Sequence, residues 1–187
     1  MTVPDTEIDT ALRDVIRRRS YRRGKFKLAS GAESEFYFNL KPTMMSPEGA
    51  YLSARALLKR IREENIDYAG GLEMGAVPVI ACIAALSRED GRPVKTFFVR
   101  KKPKDHGTQD LLEGLAPGET LSGQCVMIID DVATSGGSIL KAAEAARAAG
   151  AIVATALVII DREEGATEAL QKAGIRLLSV LRTKDFL

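Results

Sequence analysis

Apolar positions recur with two different periods along this chain and divide it into alternating helices and strands. Ile8, Leu12, Val15 and Ile16 fall on one helical face, which predicts an amphipathic helix over Thr6–Arg19. Phe26 and Leu28 alternate with Lys25 and Lys27, Ser30-Gly31 is a turn pair, and Phe36–Leu40 is strand-like; together they predict a β-hairpin. Ser46–Asn65 reads as a long helix, with Ser46 as N-cap, Pro47 at the first helical position and Glu48 in the first turn. Apolar runs at Tyr68–Gly71, Val94–Val99, Val126–Ile129, Ala151–Ile160 and Ile175–Leu181 predict core strands. Val79–Leu86, Ile139–Ala149 and Ala166–Ala173 predict the helices between them. That alternation implies an α/β fold, a parallel sheet flanked by helices, with the first helix and the hairpin as a small cap. Ligands in such sheets bind at the carboxyl ends of the strands.

The candidate chemistry falls at those ends. Cys125–Ser138 runs as a buried strand, then Asp130 and Asp131, then Val132, Ala133, Thr134, Ser135, Gly136, Gly137 and Ser138, and then a helix. A small-residue loop at a helix N-terminus presents successive backbone N–H groups, which suits a phosphate. Two acids beside it suit the hydroxyls of a phosphorylated sugar, or Mg²⁺ held through water. An ordinary strand–loop–helix corner explains any one of these residues. It does not explain the string, because acids placed directly after a buried strand are expected to be exposed and to gain nothing in packing. There is no P-loop lysine and no Gly-x-Gly-x-x-Gly, so neither an ATPase nor a dinucleotide enzyme is indicated.

Composition narrows the classes further. The 187 residues suffice for one α/β domain over 1–187, and a net charge of +2 does not suggest a nucleic-acid partner. No apolar run approaches a membrane span, and the polar, acidic N-terminus is unlike a signal peptide, so a cytoplasmic location is expected. Cys82 and Cys125 lie in apolar runs and are expected to be buried free thiols. With a single His there is no zinc-site pattern. Arg17, Arg18, Arg19, Arg22 and Arg23 are expected to form the solvated end of the first helix.

Four separated strings carry a family resemblance. They are the aromatic hairpin around the Ser-Gly turn, the strand-to-basic-loop run Arg100-Lys-Lys-Pro-Lys-Asp-His-Gly, the Asp130–Ser138 string and Asp161-Arg-Glu-Glu-Gly. In that order, over nearly the whole chain, they resemble the type I phosphoribosyltransferases and, among these, the orotate phosphoribosyltransferase family. The resemblance implies a hood of about residues 1–43 over a core of about 44–187, with a mobile loop near 100–113. It implies transfer from phosphoribosyl diphosphate (PRPP) to orotate with Mg²⁺ carried mainly by PRPP and water, in a homodimer that shares the basic loop.

By the same resemblance, Lys104, Asp130 and Asp131 are catalytic. Arg100, Lys101, Lys104 and His106 hold the diphosphate, Asp130 and Asp131 the ribose hydroxyls, and Ala133–Ser138 the 5′-phosphate, with Val132 beside them. Phe38, Thr134 and Arg162 contact orotate, the first two through backbone. A glycine-punctuated loop over Gly71–Pro78 matches the family's pyrophosphate loop. Two positions depart from the family pattern. Ala29 and Gly75 stand where many members carry Lys, and Lys41 is one source of a replacement charge. Two other functions fit the same strings: a phosphoribosyltransferase for a different base, and a PRPP-sensing regulator.

Overall fold

A computed structural model describes residues 4–27, 33–102 and 111–187. The chain runs α1 (Ile8–Arg19), β1 (Tyr21–Lys27), β2 (Glu33–Phe38), α2 (Lys41–Met44), α3 (Pro47–Ile61), β3 (Tyr68–Leu72) and α4 (Val77–Glu89). It continues through β4 (Lys95–Val99), β5 (Leu112–Glu113), β6 (Cys125–Ala133), α5 (Gly137–Ala148), β7 (Ile152–Asp161), α6 (Ala166–Lys172) and β8 (Arg176–Arg182). The main sheet has the order β5-β4-β3-β6-β7-β8, parallel except for β5. β6 therefore lies centrally, and its carboxyl end is where the expected site residues fall.

Two apolar layers hold the sheet. On one face Ile8, Leu12, Leu57, Ile61, Val79 and Ile83 pack against Met127, Ile129 and Leu157. On the other, Ile139, Ala142, Ala143 and Ala146 of α5 and Leu170 of α6 cover Val126, Ile128 and Val158. Alternate residues of β6 thus point to opposite layers, as a strand's two-residue period requires. The small side chains of α5 let its backbone approach the sheet, which brings its N-terminus to the end of β6. Ser46 caps α3 as expected: its Oγ accepts from the Gly49 N–H at 3.1 Å.

The hood is an antiparallel ribbon, β1 against β2, with a register shift between Arg23 and Phe26. It is anchored by aromatic contacts. Tyr21 lies 5.2 Å from Phe38 and 5.6 Å from Phe186, and Phe38 meets Phe186 edge-on at 5.0 Å. Three sequence expectations change here. Arg22 and Arg23 are strand residues of β1 rather than the end of α1, because pairing with Tyr37 and Phe36 claims them. Cys82 and Cys125 are free but only part-buried. The acids do not end β6, which continues four residues past Ile129.

Candidate active site

β6 carries the acids because the backbone ladder to β7 persists through Asp130↔Val158 and Ala133↔Asp161. Asp130 is consequently 4% exposed, against the expectation of an exposed carboxylate, while Asp131 is part-buried. Asp130 is well bonded. It accepts from the Ser138 hydroxyl at 2.5 Å and from the Asp131 N–H at 2.9 Å. Asp131 in turn accepts from the Val132 N–H at 2.9 Å. Burial first, and then the neighbouring Asp131 charge, push the Asp130 carboxyl up to about 7; the Ser138 hydrogen bond opposes this. A carboxyl that titrates near neutrality beside a loop suited to phosphate is a mark of a functional site.

The loop after β6 turns at Gly136, whose φ of 82° lies in the left-handed region and whose position is the N-cap of α5. This turn leaves the first-turn N–H groups of α5 without helical acceptors beside the small residues Thr134, Ser135 and Gly137. Ser138, inside that first turn, donates to Asp130 and so ties the small-residue loop to the acid pair.

The loop between β3 and α4 lies against the acids. A Cβ on Gly75 would fall 2.3 Å from Asp130 Oδ1 and 3.0 Å from Asp131 Oδ1. Gly75 thus permits this close approach, and a side chain there would need the Asp130 carboxylate to shift. Gly75→Ala is expected to lower kcat/KM for a phosphorylated-sugar substrate by about tenfold or more, since the methyl group must push an aligned carboxylate away. Steady-state kinetics at varied sugar phosphate check this; unchanged kinetics would mean that the loop moves aside freely.

Arg162 follows β7, and its N–H donates to the Ala133 carbonyl at 2.9 Å. That bond fixes it beside the start of the small-residue loop. Its guanidinium is buried, pairs with Glu164 at 2.6 Å and lies 5.2 Å over the ring of Phe36. Local sequence pattern alone does not mark Phe36 or Glu164 as site residues. The two-residue period that puts Phe36 and Phe38 on one face of β2 is the signal that could have found Phe36. Phe38 itself is buried within the aromatic cluster, which turns its side chain to packing.

Arg100 and Lys101 border a recess of about 480 Å³ with Leu72, Val99, Leu111 and Lys141; its described lining includes neither acid. Arg100 also faces Glu113 at 3.8 Å, and the Lys101 N–H donates to Glu73 at 2.7 Å. Lys41 is exposed at the start of α2. Ala29, Lys104 and His106 lie outside the described residues.

An acid pair in a central parallel strand, a small-residue loop entering a helix, and a hood above the strand ends define a type I phosphoribosyltransferase. The comparisons agree. Residues 46–177 match the family model described as a phosphoribosyl transferase domain. The chain is 53% identical over 176 residues, 94% of each sequence, to an orotate phosphoribosyltransferase of Rhodopseudomonas palustris (strain BisB18). It is 42% identical over 163 residues to that of Aquifex aeolicus, covering 87% of this chain and 86% of the relative. The solved structure of the Mycobacterium tuberculosis H37Rv orotate phosphoribosyltransferase in complex with PRPP aligns with a TM-score of 0.78 at 31% identity, over 98% of this chain and 99% of that one. The chain belongs to the orotate phosphoribosyltransferase family.

Proposed function

We propose that this chain transfers the 5-phosphoribosyl group of PRPP to orotate, giving orotidine 5′-monophosphate and pyrophosphate in pyrimidine (UMP) biosynthesis. The observation that carries the reading is the 2.9 Å bond from the Arg162 N–H to the Ala133 carbonyl. It joins a guanidinium suited to an acidic pyrimidine to the loop suited to the sugar phosphate. In the reaction the C1′–oxygen bond to the diphosphate breaks and the N1–C1′ bond forms, while N1 gives up its proton. Positive charge develops on the ribose and negative charge on the leaving group, so the protein acts mainly by electrostatics.

Asp130 and Asp131 would accept from the ribose hydroxyls. The N–H groups and hydroxyls of Ala133–Ser138 would cradle the 5′-phosphate, with Val132 aligning the turn. Arg162, with backbone at Phe38 and Thr134, would orient orotate. Arg100, Lys101, Lys104 and His106 would take the pyrophosphate.

The donor chemistry fits Mg²⁺ carried by the substrate. Among the described residues no three His, Cys, Asp or Glu side chains converge on one point. Asp130 already accepts from Ser138. PRPP oxygens and water would therefore be the main ligands, with Asp131 within their reach. When bound, the ion neutralises diphosphate charge.

Residues 1–187 act as one catalytic unit in this reading, since hood and sheet contribute to one apolar layer. Among the described residues no helix is long and apolar enough to cross a membrane. With two free thiols the enzyme suits a reducing cytoplasm. A spectrophotometric assay with orotate and PRPP, with uracil and hypoxanthine as controls, tests the function. Turnover of hypoxanthine in place of orotate would overturn it.

The cationic run Arg100-Lys-Lys-Pro-Lys motivates a lid that serves a neighbouring copy in a homodimer. Lys104→Ala and Arg162→Ala homodimers are then both expected to be nearly inactive, and mixing them to restore activity. Each hybrid has one site that carries neither lesion. Hybrids confirmed by mass spectrometry that stay inactive would exclude a shared lid.

A further inference from the structure

Arg162 is already engaged within the fold. Its side chain is 5% exposed, and the guanidinium pairs with Glu164 at 2.6 Å. A carboxylate at that distance balances most of the charge it faces. The end of β7 therefore offers oriented donors but little net positive potential. Orotate carries a carboxylate, and its N1 gains negative character as its proton leaves. A site that prefers such a base over a neutral pyrimidine needs a further cation.

The hood holds one on the appropriate face. Across the ribbon Arg23 is the partner of Phe36, and Arg22 is the partner of Tyr37. Directly opposite residues project to the same face of a ribbon, and successive residues to opposite faces. The face of Phe36 is the inward one. Tyr21 and Phe38, the next pair on that face, have ring centroids 5.2 Å apart and tilted by 37°, and the Phe36 ring lies under the Arg162 guanidinium. Arg23 thus shares a face with the platform on which Arg162 rests. It is exposed, and among the described residues no ion pair engages it. Arg22 lies on the other face, and its guanidinium donates to the Tyr21 carbonyl at 3.0 Å.

We propose that Arg23 is a specificity-determining residue, a second cationic contact that reaches across Phe36 to the anionic pyrimidine. The proposal rests on the orotate reading above. A flexible, solvated arginine suits this role, because it can close on the carboxylate after the base has stacked under the hood.

The test uses the full-length protein and the variants Arg23→Gln, Arg23→Lys and Arg22→Gln, each checked for an unchanged melting temperature. Kinetics are measured at varied orotate and varied PRPP, and orotate binding by isothermal titration. Uracil serves as the base without a carboxylate. Arg23→Gln is expected to raise the orotate KM about tenfold and to cut the preference for orotate over uracil by a similar factor, the size of a lost charge-assisted contact. Its kcat and its KM for PRPP should stay within about twofold of the parent. Arg23→Lys should recover much of the loss, and Arg22→Gln should match the parent. An unchanged orotate KM in Arg23→Gln would overturn the proposal. So would equal effects of the Arg22 and Arg23 variants, because a general surface potential would then suffice. A parent enzyme that does not convert orotate would instead overturn the reading on which the proposal rests.

Discussion

Asp130→Asn is expected to lower kcat/KM by about a hundredfold to a thousandfold and, at pH 8, to make the protein more stable. In the proposed site the first effect is the loss of one preorganised charge at the ribose, worth about 2–4 kcal/mol of transition-state stabilisation. The second follows from burial. Asp130 is 4% exposed, and its carboxyl is raised from 3.8 to about 7. Between those values the folded protein holds a proton that the unfolded chain has released, so stability falls as pH rises through this window. Below about pH 4 the acid is neutral in both states and costs nothing. Above pH 7 the cost is complete, and the rise in pKa corresponds to roughly 4 kcal/mol at most.

Asparagine removes the charge while keeping the shape. Its oxygen can accept from the Asp131 N–H, and its amide can donate to Ser138, whose hydroxyl reverses its role. A gain of about 1–3 kcal/mol above pH 7 is expected, shrinking to nothing near pH 4. Thermal melts of both proteins from pH 4 to 8 measure it. A variant less stable than the parent at pH 8 would show that the charge is compensated in the fold. The same group predicts that the parent's kcat/KM for PRPP climbs through pH 7 as the carboxylate forms.

The burial of Asp130 was not legible in the sequence, and the reason is physical. The apolar run stops at Ile129, so a reading by side chains ends the strand there. Backbone pairing does not depend on side-chain polarity, and β7 offers ladder partners as far as Asp161. The strand therefore carries its acids into the protein. Arg22 and Arg23 show the same effect in the hood. Five arginines within seven positions read as a solvated helix end, yet the aromatic strand opposite draws the last two into a ribbon. That pairing also places Arg23 on the side of the hood that carries Phe36. The five longer sheet strands and the main helices were legible because periodicity and caps are local signals. The two-residue β5 and the close approach of Gly75 to the acids depend on contacts between segments distant in sequence, which no local pattern encodes.

Arg162→Ala should weaken orotate binding about tenfold to a hundredfold and leave PRPP binding within about threefold. In the proposed site the guanidinium contributes paired donors in a nearly dry setting, where a charge-assisted contact is worth about 1.5–3 kcal/mol. The selectivity follows from which bonds survive. The Arg162 N–H that meets the Ala133 carbonyl belongs to the backbone, as does the Arg162 carbonyl that accepts from the Thr183 hydroxyl at 3.2 Å. Alanine keeps both, so the loop from Ala133 to Ser138 holds its position while the base loses its anchor. The substitution also strips Glu164 of its 2.6 Å partner, leaving a carboxylate that repels an incoming anion. Glu164→Gln in the same background separates these two contributions. It should recover the part of the loss caused by repulsion and none of the part caused by the missing donors. Titration calorimetry with orotate and with PRPP reads both. Orotate affinity that is unchanged in Arg162→Ala would make Arg162 a structural residue that stacks on Phe36 and leaves the base to other groups.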